Sequence, residues 1–146
     1  MNSSLRLLIA FTVCAFALQR LHSEDNAAAP SIEGVDWTLQ EIHGKPAHAE
    51  RLRDQTLKLD PAKKQAVGHA GVNRFFGSFE RTDDRLKIGR LATTRMAGPP
   101  EAMNAEKAYL AALSEITNWR MSDGALELLK EKTVVLRFAA AKPTPK

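Results

Sequence analysis

Cysteine is all but missing from this chain of 146 residues; the one that occurs, Cys14, lies inside an apolar stretch near the N-terminus. The residues after that stretch hold no thiol, which excludes a disulfide, a thiol nucleophile and a thiolate metal centre there. Cys14 itself is in the wrong setting for an acylated lipoprotein cysteine. That signal needs a small residue just before the cysteine and a finished apolar segment upstream, whereas Val13 precedes it and the run continues to Leu18. Long hydrophobic runs are missing too. The run Leu7 to Leu18 has 12 residues, against the ~20 that an ordinary membrane-spanning helix requires. An excess of one charge sign is also lacking. Of the 21 Lys and Arg, Arg6 and Arg20 lie in this leading segment, and the other 19 stand against 17 acidic residues. They are interspersed rather than gathered on one face, so no nucleic-acid partner is expected.

What is present begins with a leader. The amine and Arg6, the apolar run and the polar residues that follow have the order of a secretory signal peptide over residues 1–23. Ala17, Ser23 and Ala29 are small enough for cleavage, and Ser23 followed by Glu24-Asp25 is the preferred site. The expectation is a periplasmic or secreted protein with no stable membrane span after cleavage. Residues 24–31 read as a flexible lead-in, 32–139 as one domain and 140–146, with two prolines and two lysines, as a flexible tail.

Within the domain most segments alternate with the period of a half-buried strand. Val35, Trp37 and Leu39 oppose Asp36, Thr38 and Gln40; Thr56 to Asp60 and Gln65 to His69 form a hairpin across Pro61; Phe75 to Glu80 pairs with Arg85 to Ile88 across Asp83-Asp84. The segment from Pro100 to Thr117 is different. Its good helix formers, its initial proline and Glu101 in the first turn predict a helix over about 100–117, burying Ala102, Ala105, Tyr109, Leu113 and Ile116. Strands resume at Asn118 to Ser122, Ala125 to Lys130 and Thr133 to Ala139, with a strong hairpin signal at Asp123-Gly124. A doubly wound nucleotide-binding sheet is excluded by this order. The fold class expected is mainly β (α+β): a curved antiparallel sheet or partly closed barrel packed around one α-helix.

Candidate chemistry is thin. Gly68, Gly71 and Gly77 fit neither phosphate-loop nor dinucleotide spacing. We expect Gly71 and Asn73 to supply positive φ in a tight connection, and Gly77 to mark a bulge or a close backbone approach. His43 and His48 lack a metal-binding spacing and read as solvated loop residues, as does His69 in the absence of a partner legible in sequence. Ser78 lacks the nucleophile-elbow context, and Asp83-Asp84 read as turn residues. Trp37 and Trp119 are expected in the core, with a barrel mouth as the other possible location. No catalytic residue, cofactor or metal ligand is therefore expected.

Taken together, Trp37-x-Leu39, Gly68-x-x-Gly71-x-Asn73-Arg74-x-x-Gly77-x-Phe79, Leu86-x-Ile88 and Thr94-x-Met96-Ala97 resemble the META domain, the HslJ-like heat-shock protein family. Leu113, Leu126-x-Leu128 and Leu136-x-Phe138 continue the likeness. Where many members carry Gly-Cys-Asn and Met-Ala-Cys, this chain has Gly71-Val72-Asn73 and Met96-Ala97-Gly98. The resemblance thus implies a contacting cysteine pair lost at Val72 and Gly98. It further implies an exported, envelope-associated domain tied to heat shock and novobiocin tolerance and brings no catalytic residue set; we expect a non-enzymatic monomer. Its partner would be an envelope protein; the alternative is a carrier of a small apolar ligand in a barrel-like cavity.

Overall fold

The computed structural model describes residues 31–47 and 53–141. The expected signal peptide, nearly all of the lead-in and most of the tail lie outside the described residues, as does His48. The elements are β1 (Asp36–Ile42), β2 (Lys45–Pro46), β3 (Thr56–Asp60), β4 (Gln65–His69), β5 (Arg74–Thr82), β6 (Arg85–Ile88), β7 (Ala92–Thr93), α1 (Pro100–Glu115), β8 (Asn118–Ser122), β9 (Ala125–Lys130) and β10 (Thr133–Ala140). All pairings are antiparallel, and the order β1-β3-β4-β5-β6-β8-β9-β10 returns to β1, so the sheet is a ring of strands. It is not a regular barrel. Between β6 and β8 the pairing narrows to Arg85 opposite Asn118, helped by the Leu86 and Trp119 amides donating to Thr117 and Asp84 carbonyls.

Period-two alternation puts one apolar set inside the ring. Trp37, Leu39, Leu57, Leu59, Phe75, Phe79, Leu86, Leu126, Leu128 and Phe138 are buried there. Two bulges adjust the pairing of β10 with its neighbours, one at its seam with β1 between Leu39 and Glu41 and one against β9 between Val134 and Leu136. The second lets consecutive Val135 and Leu136 both be buried, which strict alternation forbids. The seam extends beyond the expected domain end, because β10 continues through Ala140 and the Ala141 amide donates to the Asp36 carbonyl.

The helix starts with Pro100 at its first turn and ends when Ile116 turns extended, two residues before the expected limit. It buries Ala102, Glu106, Tyr109, Ala112 and Leu113. Tyr109 is its anchor: the ring meets Phe75 edge-on at 5.8 Å and Phe138 at 6.2 Å, and the hydroxyl donates to the Thr56 carbonyl at 3.1 Å. Ala105 is only half-buried, and the position facing the turn before β5 is the charged Glu106 instead.

Candidate functional site

The turn between β4 and β5 joins His69 to Arg74, which are opposite each other in the ladder. The Ala70 amide closes it on the Asn73 carbonyl at 2.7 Å, and Gly71 takes φ +118°, a conformation that penalises any Cβ. Asn73 does not share that conformation, contrary to the sequence expectation; its contribution is its side chain. At 2% exposure, Asn73 uses all of its side-chain polar capacity. Its Oδ1 accepts from Thr94 Oγ1 at 2.8 Å and the Met96 amide at 2.7 Å, while Nδ2 donates to the Met96 carbonyl at 3.1 Å and Glu106 Oε1 at 2.8 Å. Asn73 therefore acts on the segment after β7 as a short strand would.

Glu106, 5% exposed, completes the cluster from the helix. Its Oε2 accepts from the Val72 and Asn73 amides at 3.2 and 2.7 Å. Gln55 adds a staple, donating to the carbonyls of Ala70 and Ala105 at 2.8 and 3.2 Å. Turn, segment and helix are thus locked at one point by groups that satisfy one another. Among the described residues no buried side-chain polar atom lacks a partner, and no three of His, Cys, Asp and Glu gather closely enough to hold a metal ion.

The structure brings together Gly71, Val72, Asn73, Thr94, Met96 and Gly98. Arg74 joins through its backbone: its amide donates to Thr94 Oγ1 at 3.2 Å, and its carbonyl accepts from the Thr94 amide at 3.0 Å. A Cβ placed on Gly98 would lie 3.4 Å from that of Val72. Met96 is 56% exposed although its backbone is held, and Ala97 is exposed beside it. The remaining motif residues are elsewhere. Gly68 lets the Thr56 carbonyl and the Phe75 ring approach, and a Cβ on Gly77 would come within 2.8 Å of the Arg90 carbonyl oxygen. Gly77 thus marks a close backbone approach, with no break in the β4–β5 register. Phe79 is buried opposite Ile88. Trp37 is buried too, its indole donating to the Ile32 carbonyl at 2.9 Å. The interior around Tyr109, Phe75 and Phe138 is filled by side chains. Trp119 is half-buried at the β6–β8 junction, donating to the Asp83 carbonyl at 2.8 Å under the Arg81 guanidinium.

On the outer face of the same strands lies an open groove of about 690 Å³. Cross-strand register aligns Thr56, His69 and Arg74 in one row and Asp36, Lys58, Val67 and Phe76 in the next. Arg53 Nη1 lies 3.2 Å from His69 Nε2, and Lys58 pairs with Asp36 at 3.0 Å. Phe76 is 52% exposed over the groove. His69 ends β4, as the hairpin expectation places it, but it is half-buried rather than a solvated loop residue, with its Nδ1 accepting from the Gly71 amide at 3.1 Å. Partial burial, then the Arg53 and Arg74 charges, hold its imidazole pKa below the ordinary value, with Glu106 opposing them.

Sequence reasoning passed over Glu106, Gln55, Arg53 and Phe76. Glu106 carried a signal, a carboxylate four residues after Ala102 and three before Tyr109 on the apolar stripe. Phe76 carried another, since adjacent strand residues face opposite sides and Phe75 and Phe76 cannot both be inside. Gln55 and Arg53 carried none.

The chain matches the META domain over residues 30–143. Among solved structures, it is similar to a Burkholderia xenovorans protein determined by NMR, with 28% identity and a TM-score of 0.60 over 76% of this chain and 84% of that one. A second NMR structure, at 21% identity and TM-score 0.57, covers 75% of this chain and 91% of its own. A duf4847 family protein from Bacteroides vulgatus, at 14% identity and TM-score 0.53, covers 77% and 96% respectively and shares the fold. No curated protein matches the sequence. Among the described residues no helix is long and apolar enough to cross a membrane.

Proposed function

The chain belongs to the META domain family, and from that membership we propose that it is an exported, non-enzymatic, monomeric protein that supports the cell envelope under heat or antibiotic stress by binding another protein. One contrast carries the reading. The polar groups that converge at Asn73 and Glu106 are consumed by holding the fold, whereas the outer groove leaves a large aromatic, Phe76, 52% exposed among cations. Buried, mutually satisfied polar groups support architecture and leave nothing poised to react. An exposed aromatic beside charged side chains is instead the composition of a protein-binding surface.

The reading is tested by placing a photo-crosslinking amino acid at position 76 and illuminating intact cells. The expected result is a discrete adduct in the exported fraction and a deletion strain sensitive to heat or novobiocin. A chain retained in the cytoplasm, or a deletion without phenotype joined to an absence of adducts, would end the proposal.

A further inference from the structure

The outer groove has more hydrogen-bond donors than acceptors at one end. A neutral imidazole accepts at one nitrogen only, yet both ring nitrogens of His69 face donors, Nδ1 the Gly71 amide at 3.1 Å and Nε2 the Arg53 guanidinium at 3.2 Å. With Nδ1 accepting from Gly71, Nε2–H points at Arg53, donor against donor. Arg74 adds a second guanidinium in the same cross-strand row. Among the described residues no carboxylate pairs with Arg53 or Arg74, and the groove's own carboxylate, Asp36, is engaged by Lys58 at 3.0 Å. A carboxylate seated beside them would accept from His69 Nε2–H and from a guanidinium N–H, relieving the conflict and offsetting the charge of the Arg53 and Arg74 pair.

In the next row, beyond the Asp36–Lys58 pair, the groove is apolar on β4 and β5. Val67 lies opposite Phe76 in the β4–β5 ladder, and the Phe76 ring is half exposed. A cationic pocket joined to an exposed aromatic floor matches a ligand with an anionic group and an apolar group one side chain apart. The space, about 690 Å³, is in the range that holds ligands of several side chains' volume, ~300–1,000 Å³.

We infer that this groove receives an acidic peptide segment of the partner, seating one carboxylate among Arg53, His69 and Arg74 and laying a neighbouring apolar side chain on Phe76 and Val67. The inference rests on the partner-binding reading above and names that partner's chemistry. A simple anion would use only the cationic end.

The test uses fluorescence polarisation with a labelled hexapeptide of alternating Asp and Leu, beside analogues with Asn for Asp and Ser for Leu. The acidic, apolar peptide binds saturably and more weakly as salt rises, and both analogues lose affinity. The R53E/R74E double variant weakens binding by about tenfold or more, the effect of losing a charged hydrogen bond, and Phe76→Ser weakens it severalfold. Lys87→Glu on β6 leaves it unchanged. All four positions are exposed, and thermal melts check that the variants fold. Equal binding by wild type and R53E/R74E, or no saturable binding by wild type, overturns the inference. So does displacement of the peptide by millimolar inorganic phosphate alone, or preferential binding to anionic phospholipid vesicles. Repeating the position-76 crosslink in the R53E/R74E background separates the two readings. An adduct that persists there overturns the acidic-peptide inference and leaves partner binding standing, whereas peptide binding in vitro without any adduct in cells overturns the partner-binding reading.

Discussion

The side chain of Val72 fills the space above Gly98: a Cβ added at Gly98 would stand 2.6 Å from Val72 Cγ2 and 3.4 Å from its Cβ. The second distance is near the Cβ separation of a disulfide, ~3.5–4.5 Å, and the first shows that the γ-methyls are what exclude a side chain at Gly98. Gly98→Ala alone should therefore overpack the contact and cost about 1–3 kcal/mol. Val72→Cys with Gly98→Cys should remove the obstructing methyls and oxidise spontaneously to an intramolecular bond. Closing that loop should stabilise the fold by about 3 kcal/mol, reversed by reductant. Thiol titration and melting with and without dithiothreitol check it. Free thiols after oxidation would show the two positions to be misaligned.

Glu106 and Asn73 should fail in different ways. Glu106→Gln sets an amide donor against the Asn73 side-chain or backbone donors, which now lie 2.8 and 2.7 Å from the carboxylate. About 2–3 kcal/mol should be lost at neutral pH. Asn73→Asp sets two carboxylates together, so its loss should be greatest at neutral pH and partly recovered on acidification. In both variants the Met96 amide, which donates to Asn73 Oδ1, should exchange its hydrogen faster. Urea titrations at two pH values and hydrogen exchange read both effects.

Local chemistry made the hairpins and the helix legible. Asp123-Gly124, with φ of +51° and +76°, and Asp83, at +53°, occupy turns marked by their residue types. Period-two alternation identified Trp37, Leu39, Leu57 and Leu59 as a buried set. A partly closed barrel was one of the two forms expected, but which strands close the ring was not legible, because the pairing of Leu39 with Phe138 joins two apolar strands far apart in the chain. The two-residue strands β2 and β7 exist only because a longer strand lies beside them. Asn73 was misread for a related reason. Its residue type advertises positive φ, but Thr94, Met96 and Glu106, distant in sequence, put its side chain to another use.

Two glycines should respond to a methyl by sterics alone, neither having positive φ. A Cβ on Gly77 would meet the Arg90 carbonyl oxygen and Leu91 Cδ2, both at 2.8 Å. Gly77→Ala should cost about 1–3 kcal/mol and loosen the chain entering β7. Gly68→Ala should cost more, because its methyl is driven into the Thr56 carbonyl of β3 as well as the Phe75 ring, which packs on Tyr109. Gly124→Ala makes a useful contrast. It meets nothing within 4 Å but keeps φ +76°, so its loss should be confined to backbone strain of about 1 kcal/mol. The order of the three denaturation midpoints checks the argument.

His69 should make the fold sensitive to mild acid. Partial burial and the Arg53 and Arg74 charges lower its folded pKa below the ordinary 6.5, although Glu106 acts the other way. Above 6.5 the ring is neutral in folded and unfolded chains alike, and the shift is without effect. As pH falls through that value the unfolded chain takes up a proton that the fold resists, so stability declines until the lowered folded pKa is passed. His69→Gln should flatten this part of the profile, leaving at most a constant offset from the lost acceptor for the Gly71 amide. Arg53→Gln should raise the imidazole pKa by removing one of the facing charges. Chemical denaturation between pH about 8 and about 5, with NMR titration of the imidazole, measures both. An imidazole that titrates at or above its ordinary value would contradict this account of the groove's electrostatics.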